Sequence, residues 1–214
     1  MNRKSGFTLA EVLITLAIIG TVAAMTIPTL MTNTNKMEFK TGFKKILSTT
    51  NQAITMSVAL NYIDFSDTTT TNTNPTTSIL GIFINRMHVT KTVAGTADSA
   101  VSRMFSHDSG TPQNNYTIFF ADGMVLSFPQ SSTNCRIGQT GRTNICKGIV
   151  DVNGTRAPNY LSNCHGTQEK HVSADTYTNC SPNNAGIFDQ FSVFMADQQV
   201  QPNGQAAKYV LFEN

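Results

Sequence analysis

From residue 7 to residue 30 the chain carries one ionisable side chain, Glu11, among Val12, Leu13, Ile14, Leu16, Ile18, Ile19, Val22 and Ile27. A helix rises about 1.5 Å per residue, so this run reaches across the roughly 30 Å hydrocarbon core of a bilayer, which needs about 20 residues. The stretch is therefore a membrane-spanning helix by length and composition, and the residues after it build whatever globular structure the chain has. Glu11 is the exception within it. A carboxylate at the centre of a lipid-embedded helix costs at least about 2.5 kcal/mol on insertion scales, so it needs a partner or a proton and marks a functional position.

Several features occur together at this end: the basic Arg3 and Lys4, then Gly6, Phe7 and Glu11, with Pro28 near the close of the apolar run. In this arrangement residues 1 to about 30 resemble the N-terminus of type IV prepilins and of the pseudopilins of type II secretion. The resemblance implies that residues 1–6 are a leader removed by a prepilin peptidase and that Phe7 becomes the methylated first residue. It implies too that Glu11 meets the amine of Phe7 on a neighbouring subunit during assembly. Cleavage after Gly6 places that amine i to i+4 from Glu11, on one helix face. The implied partners are the peptidase, other pilin or pseudopilin subunits in a helical filament, the inner-membrane assembly machinery and the lipid bilayer. The implied location is the bacterial inner membrane, single-pass, with the C-terminal domain outside the cytoplasm, and then the pilus or pseudopilus. Two other readings of the segment stand beside this one. One is a plain anchor with Glu11 near the headgroups. The other is an ordinary signal cut near Val22-Ala23-Ala24, although Glu11 sits awkwardly in the apolar core such a signal needs.

The expected division is a leader over 1–6, an assembly helix over 7–30, its continuation over 31–62, and a globular domain over 63–214. Phe39, Phe43, Leu47, Ile54 and Val58 recur at helical spacing, with Thr50 in the same stripe, which predicts a helix with one apolar side. Pro28 is expected to kink it and Gly42 to weaken it, and Thr32-Asn33-Thr34-Asn35 is a place where two helices could separate. The polar tract 66–78 reads as an exposed loop with no side chain to anchor it. Leu80, Phe83, Ile84 and Met87 predict a short second helix near 78–88, and 98–113 is ambiguous.

The best hairpin joins 116–121 to 124–128 through Asp122-Gly123, which supplies the positive φ angles of a two-residue turn. Further strand candidates are 147–152, 191–196 and 208–212. A sheet of this kind has one face to cover, and the apolar stripe of the long helix is the cover. The fold class is α+β, a long N-terminal helix packed on an antiparallel sheet, which the pilin resemblance also implies.

Charged residues make up only 13% of the 214 residues, with a formal charge of +2. Two of those charges are Arg3 and Lys4, so the side chains beyond the leader sum to zero and the balance does not point to nucleic acid. Lys36, Lys40, Lys44 and Lys45 run against the tendency of basic flanks to stay inside the cell. The cysteines Cys135, Cys146, Cys164 and Cys180 lie far beyond the apolar run, where an exported domain keeps disulfides. Their spacings lack the close pairs of structural zinc, although His165 and His171 lie near Cys164. Two disulfides are expected. Of the three connectivities, neighbour pairing of Cys135 with Cys146 and Cys164 with Cys180 is preferred, in line with the stapled C-terminal regions of the resembled pilins.

Asp151 and Asn153 stand at i and i+2 before Gly154, and Asp189 lies in a second short motif. Their oxygens could hold calcium, which takes 6 to 8 oxygen ligands. They could instead form an Asx turn at Asp151 with Asp189 capping nearby amides. No phosphate loop, nucleophile motif or metal-ligand spacing of His88, His107, His165 and His171 points to an enzyme. The function expected is a structural subunit of a type IV pilus or type II secretion pseudopilus. The alternative is a surface binding module, an adhesin or a DNA-uptake minor pilin, and a membrane-tethered hydrolase is a third and weaker reading.

Overall fold

The computed structural model describes residues 6–96, 114–138, 146–168, 180–181 and 184–212. Arg3, Lys4, His107, His171 and the whole of the ambiguous stretch 98–113 lie outside them. The helix α1 (Leu9–Asn61) is followed by α2 (Ile79–Arg86), β1 (Val89–Gly95), β2 (Asn115–Phe120), β3 (Val125–Pro129), β4 (Lys147–Asp151), β5 (Gln190–Ala196), β6 (Gln199–Pro202) and α3 (Gln205–Phe212). By its internal contacts the chain divides into two units, Met1–Glu38 and Phe39–Asn214, and α1 contributes to both.

In the first unit, α1 leaves Val12, Leu13, Ile14, Leu16, Ile18, Ile19 and Ile27 exposed, and no residue of its most apolar window is buried. It is the one helix among the described residues long and apolar enough to cross a membrane. The helix runs on through Pro28 and through the Thr-Asn repeat at 32–35. The threonines there do not compete with it, because Thr26, Thr32 and Thr34 turn their hydroxyls back onto the carbonyls of Val22, Pro28 and Leu30 at 2.9–3.0 Å. This i−4 bond lets a polar residue sit in an apolar helix without an unpaired donor.

The second unit is built on a six-stranded antiparallel meander in the order β1-β2-β3-β4-β5-β6. Its portion of α1 buries Phe39, Phe43, Ile46, Leu47, Thr50, Ala53, Ile54 and Ser57, the expected stripe with Ile46, Ala53 and Ser57 added and with Val58 only half-buried. Phe43 stacks on Phe191 of β5 with ring centroids 4.3 Å apart. Complete burial of each such side chain contributes about 1.5–3 kcal/mol. Gly42, expected as a weak point, is a close approach: a Cβ there would lie 2.9 Å from Val152 Cβ. Asn51 grips the outer edge of β6, accepting from Val200 N at 2.9 Å and donating to Val200 O at 3.0 Å, so that edge is covered rather than open.

Several expectations are corrected. The segment 208–212 is not a strand but part of α3, because Ala206, Ala207 and Val210 bury at helical spacing and the two alanines extend the pattern upstream. The hairpin closes through three residues rather than two: Gly123 N bonds Phe120 O at 3.1 Å, Phe120 N bonds Met124 O at 2.9 Å, and Gly123 takes φ +87°. That is a type I turn followed by a left-handed glycine. The polar tract 66–78 is tied at both ends. Thr68 is buried and its Oγ1 accepts from Asn134 N at 3.0 Å, while Ser78 caps α2 by accepting from Gly81 N at 2.9 Å. Tyr116 also donates its hydroxyl to Thr71 O.

Candidate functional site

Two places bring the singled-out residues together, one in each unit. At the start of α1, Thr8 is the N-cap and Glu11 the third helical residue. Thr8 N donates to Glu11 Oε2 at 2.8 Å, Thr8 Oγ1 donates to the same oxygen at 2.9 Å, and Glu11 N donates to Thr8 Oγ1 at 3.3 Å. This reciprocal arrangement is a capping box, which satisfies two orphan donors of the first turn. Phe7 is 90% exposed and precedes the helix, so the expected i to i+4 placement of Phe7 and Glu11 on one helix face is not the arrangement in this structure. Thr8 was missed as a site residue, although Thr-x-x-Glu ahead of an apolar run is its signal.

In the second unit, β4 ends on Asp151 and β5 begins just after Asp189, and both carboxylates are fully buried. Asp151 Oδ1 accepts from Asn153 N at 3.1 Å, and Oδ2 accepts from Gln190 Nε2 at 3.0 Å. Asp189 Oδ2 accepts from Asn159 N at 2.8 Å and Oδ1 from Tyr160 N at 3.0 Å. The loop 152–160 thus folds over the pair, with Gly154 at φ +78° passing so close to Gly123 O that a Cβ would sit at 2.6 Å. Burial first, and the neighbouring Asp189 charge second, push the Asp151 pKa up from about 3.8 to about 8, against the hydrogen bonds from Gln190 and Asn153. Burial raises Asp189 as well. Two carboxylates out of water need a proton or a cation between them.

The donor set has room for more than a turn. Asn153 Oδ1 and Asn159 Oδ1 are buried with no hydrogen-bond partner among the described residues. With the two carboxylates they are four oxygen-bearing groups of the hard type that calcium takes, and backbone carbonyls of the loop supply the same chemistry. Asn159, Tyr160 and Gln190 were not singled out from the sequence. The signal was the Pro158-Asn159 pair, where Asn159 takes φ +51° after a cis Ala157–Pro158 bond.

The disulfides pair Cys135 with Cys146 and Cys164 with Cys180, with Cα–Cα distances of 5.7 and 4.9 Å. Cys164 is thereby taken up in a bridge, and the ring of His165 bonds Thr167 Oγ1 at 2.6 Å. Among the described residues no three His, Cys, Asp or Glu side chains cluster as a metal site.

Residues 1–27 match the family described as the prokaryotic N-terminal methylation motif. That motif is the prepilin-type cleavage and methylation signal of type IV pilins and pseudopilins, a structural rather than enzymatic group. The motif supports a type IV pilin-like or pseudopilin-like precursor, and the α+β architecture of the chain is consistent with the pilin fold. The motif implies processing by a prepilin peptidase and assembly with other pilins, and with the apolar helix it suggests a membrane-anchored pilin. No curated protein and no solved structure is similar enough to the chain to count as a match.

Proposed function

We propose that this chain is a structural subunit of a type IV pilus or type II secretion pseudopilus. The leader 1–6 is cut after Gly6, residues 7–30 hold the subunit in the inner membrane, and the domain beyond lies outside the cytoplasm. Glu11 then joins the amine of Phe7 on an adjacent subunit. The observation that carries this reading is the methylation motif over residues 1–27, whose apolar part forms the capped start of α1 and whose most apolar window has no buried residue. The two disulfides of the second unit suit an oxidising compartment. Mass spectrometry of the mature chain tests it: an N-methylated Phe7 is expected, and a mature chain beginning at Met25 would mean ordinary secretion.

A second proposal concerns Asp151, Asn153 and Asp189 as ligands of a structural calcium ion, supported by the unpartnered buried oxygens of Asn153 and Asn159. When bound, the ion would supply the positive charge that the buried carboxylates lack, and it would tie the loop 152–160 to the ends of β4 and β5. A rise in melting temperature with added calcium, reversed by chelation, is expected. An unchanged melting temperature leaves Asp151 and Asp189 as turn and capping residues only.

A further inference from the structure

The lysines after the apolar run are left without a role by assembly alone. Between residues 31 and 45 there are four, Lys36, Lys40, Lys44 and Lys45, against one acid, Glu38. On the far side of the span from Arg3 and Lys4 they oppose the bias that orients a membrane helix. Within the second unit two of them are partly engaged: Lys40 lies 5.6 Å from the ring centroid of Tyr209, and Lys45 Nζ pairs with Asp122 Oδ2 at 2.8 Å. The Lys45 side chain is still half-exposed. Lys44 is exposed and has no ion pair or hydrogen bond among the described residues, and the same is true of Lys36 in the first unit. Solvation alone explains an isolated surface lysine. It does not account for four in ten residues of a chain that is otherwise weakly charged.

From this we propose that the lysines at 36–45 bind the anionic phospholipid headgroups of the leaflet on the exported side. The inference rests on the membrane-anchored orientation given above. The tether keeps the segment near the surface: Phe39 is nine residues beyond Leu30, a stretch that spans at most about 32 Å even when fully extended. A basic segment on such a tether meets the surface at high effective concentration. Lysines near an anionic surface gain about 1 kcal/mol each, and the attraction fades within a Debye length of about 8 Å at physiological salt. Headgroup binding would hold the unassembled subunit against the membrane, and incorporation into a filament would have to break it.

The test uses the full mature chain in nanodiscs, either of phosphatidylcholine alone or with phosphatidylglycerol added, and reads amine acylation at each lysine by mass spectrometry. In the anionic discs, acylation of Lys36 and Lys44 should slow about five-fold, the factor that about 1 kcal/mol per lysine represents. About 0.5 M salt should restore it, while free phosphate should not reproduce it, and Lys91 and Lys147 should be unaffected throughout. Replacing both residues as Lys36→Gln/Lys44→Gln removes no contact of the fold. It should leave the melting temperature unchanged while weakening the lipid-dependent protection of Lys40 and Lys45. Equal rates in the two kinds of disc, or slowing at Lys91 and Lys147 to the same extent, would overturn the proposal. The N-terminal mass from the same sample reports separately on processing at Phe7, so either reading can fail alone.

Discussion

Glu11 and Asp151 are both carboxylates in apolar parts of the chain, and the two units manage them by different means. Glu11 is held by Thr8, three residues away, through bonds confined to the first turn of α1. Asp151 and Asp189 are held by groups brought together from β4, β5 and the loop between them, with Gln190 reaching across 39 positions. A local box can open and exchange its partner without disturbing the fold. A tertiary one cannot, because giving up its oxygens strands the amides of Asn153, Asn159 and Tyr160 and the side chain of Gln190. The difference separates a carboxylate suited to a second subunit from one built into its own domain.

The largest expected effect tests the first half of that contrast. Glu11→Val should abolish incorporation into filaments when expressed as the only copy, since losing one member of a buried ion pair typically costs about 3–5 kcal/mol. The melting temperature of the globular unit should not change. Wild-type levels of the variant in sheared filaments would remove Glu11 from assembly.

Asp189→Ala attacks the second half. It leaves the amides of Asn159 and Tyr160 without their acceptor, at about 1–3 kcal/mol for each buried donor, so the full chain in detergent should melt several degrees lower. Asp189→Asn keeps one acceptor and removes the repulsion on Asp151, and it should cost less. Equal losses for the two variants would mean that the charge, rather than the hydrogen bonds, organises the loop.

The pH dependence follows from the raised Asp151. Between about 4 and about 8 the folded chain holds a proton that the unfolded chain has released. Stability from this group is therefore fully present below pH 4 and is lost as pH rises toward 8, by at most about 1.4 kcal/mol per pH unit. Asp189 is shifted in the same direction. Thermal melts without calcium should weaken over that window, and Asp151→Asn should flatten the slope. Calcium, taking the place of the proton, should flatten it too. A slope that Asp151→Asn leaves intact would place its origin elsewhere.

The smallest effect is expected for Thr8→Ala, which removes a helix cap worth about 1 kcal/mol. Faster hydrogen exchange at Glu11 and Val12 should report it, with Thr8→Ser restoring the slow rate. Unchanged exchange would mean that the box contributes nothing to the helix start.

The long helix and the central strands were legible because their signals are periodic. Phe39, Phe43 and Leu47 announce a face, and the runs around Ile118, Leu126 and Val193 announce pleated strands. The two edges of the sheet were not. β1 exposes most of its residues and β6 buries only Val200, so neither shows an alternation that the core would impose. The helix α3 was mistaken for a strand because Lys208 to Phe212 is short enough to fit either period. At the sites, Asp151, Asn153 and Asp189 could be picked out as short motifs. Their grouping with Asn159, Tyr160 and Gln190 depends on a loop path that no local spacing encodes.

The meander has a temporal side. Every strand of the sheet pairs with the next one in the chain, so a polypeptide emerging N-terminus first can add each strand to the one before it, closing only modest loops. The helix cannot take part on that schedule. Phe43 waits for Phe191, and Asn51 waits for Val200, which lies 149 positions later. Until β5 and β6 are made, the stripe from Phe39 to Ile54 lacks part of its cover. The nascent subunit therefore carries a sticky amphipathic rod through most of its biogenesis, and that interval is when a chaperone or the membrane surface itself has to shield it.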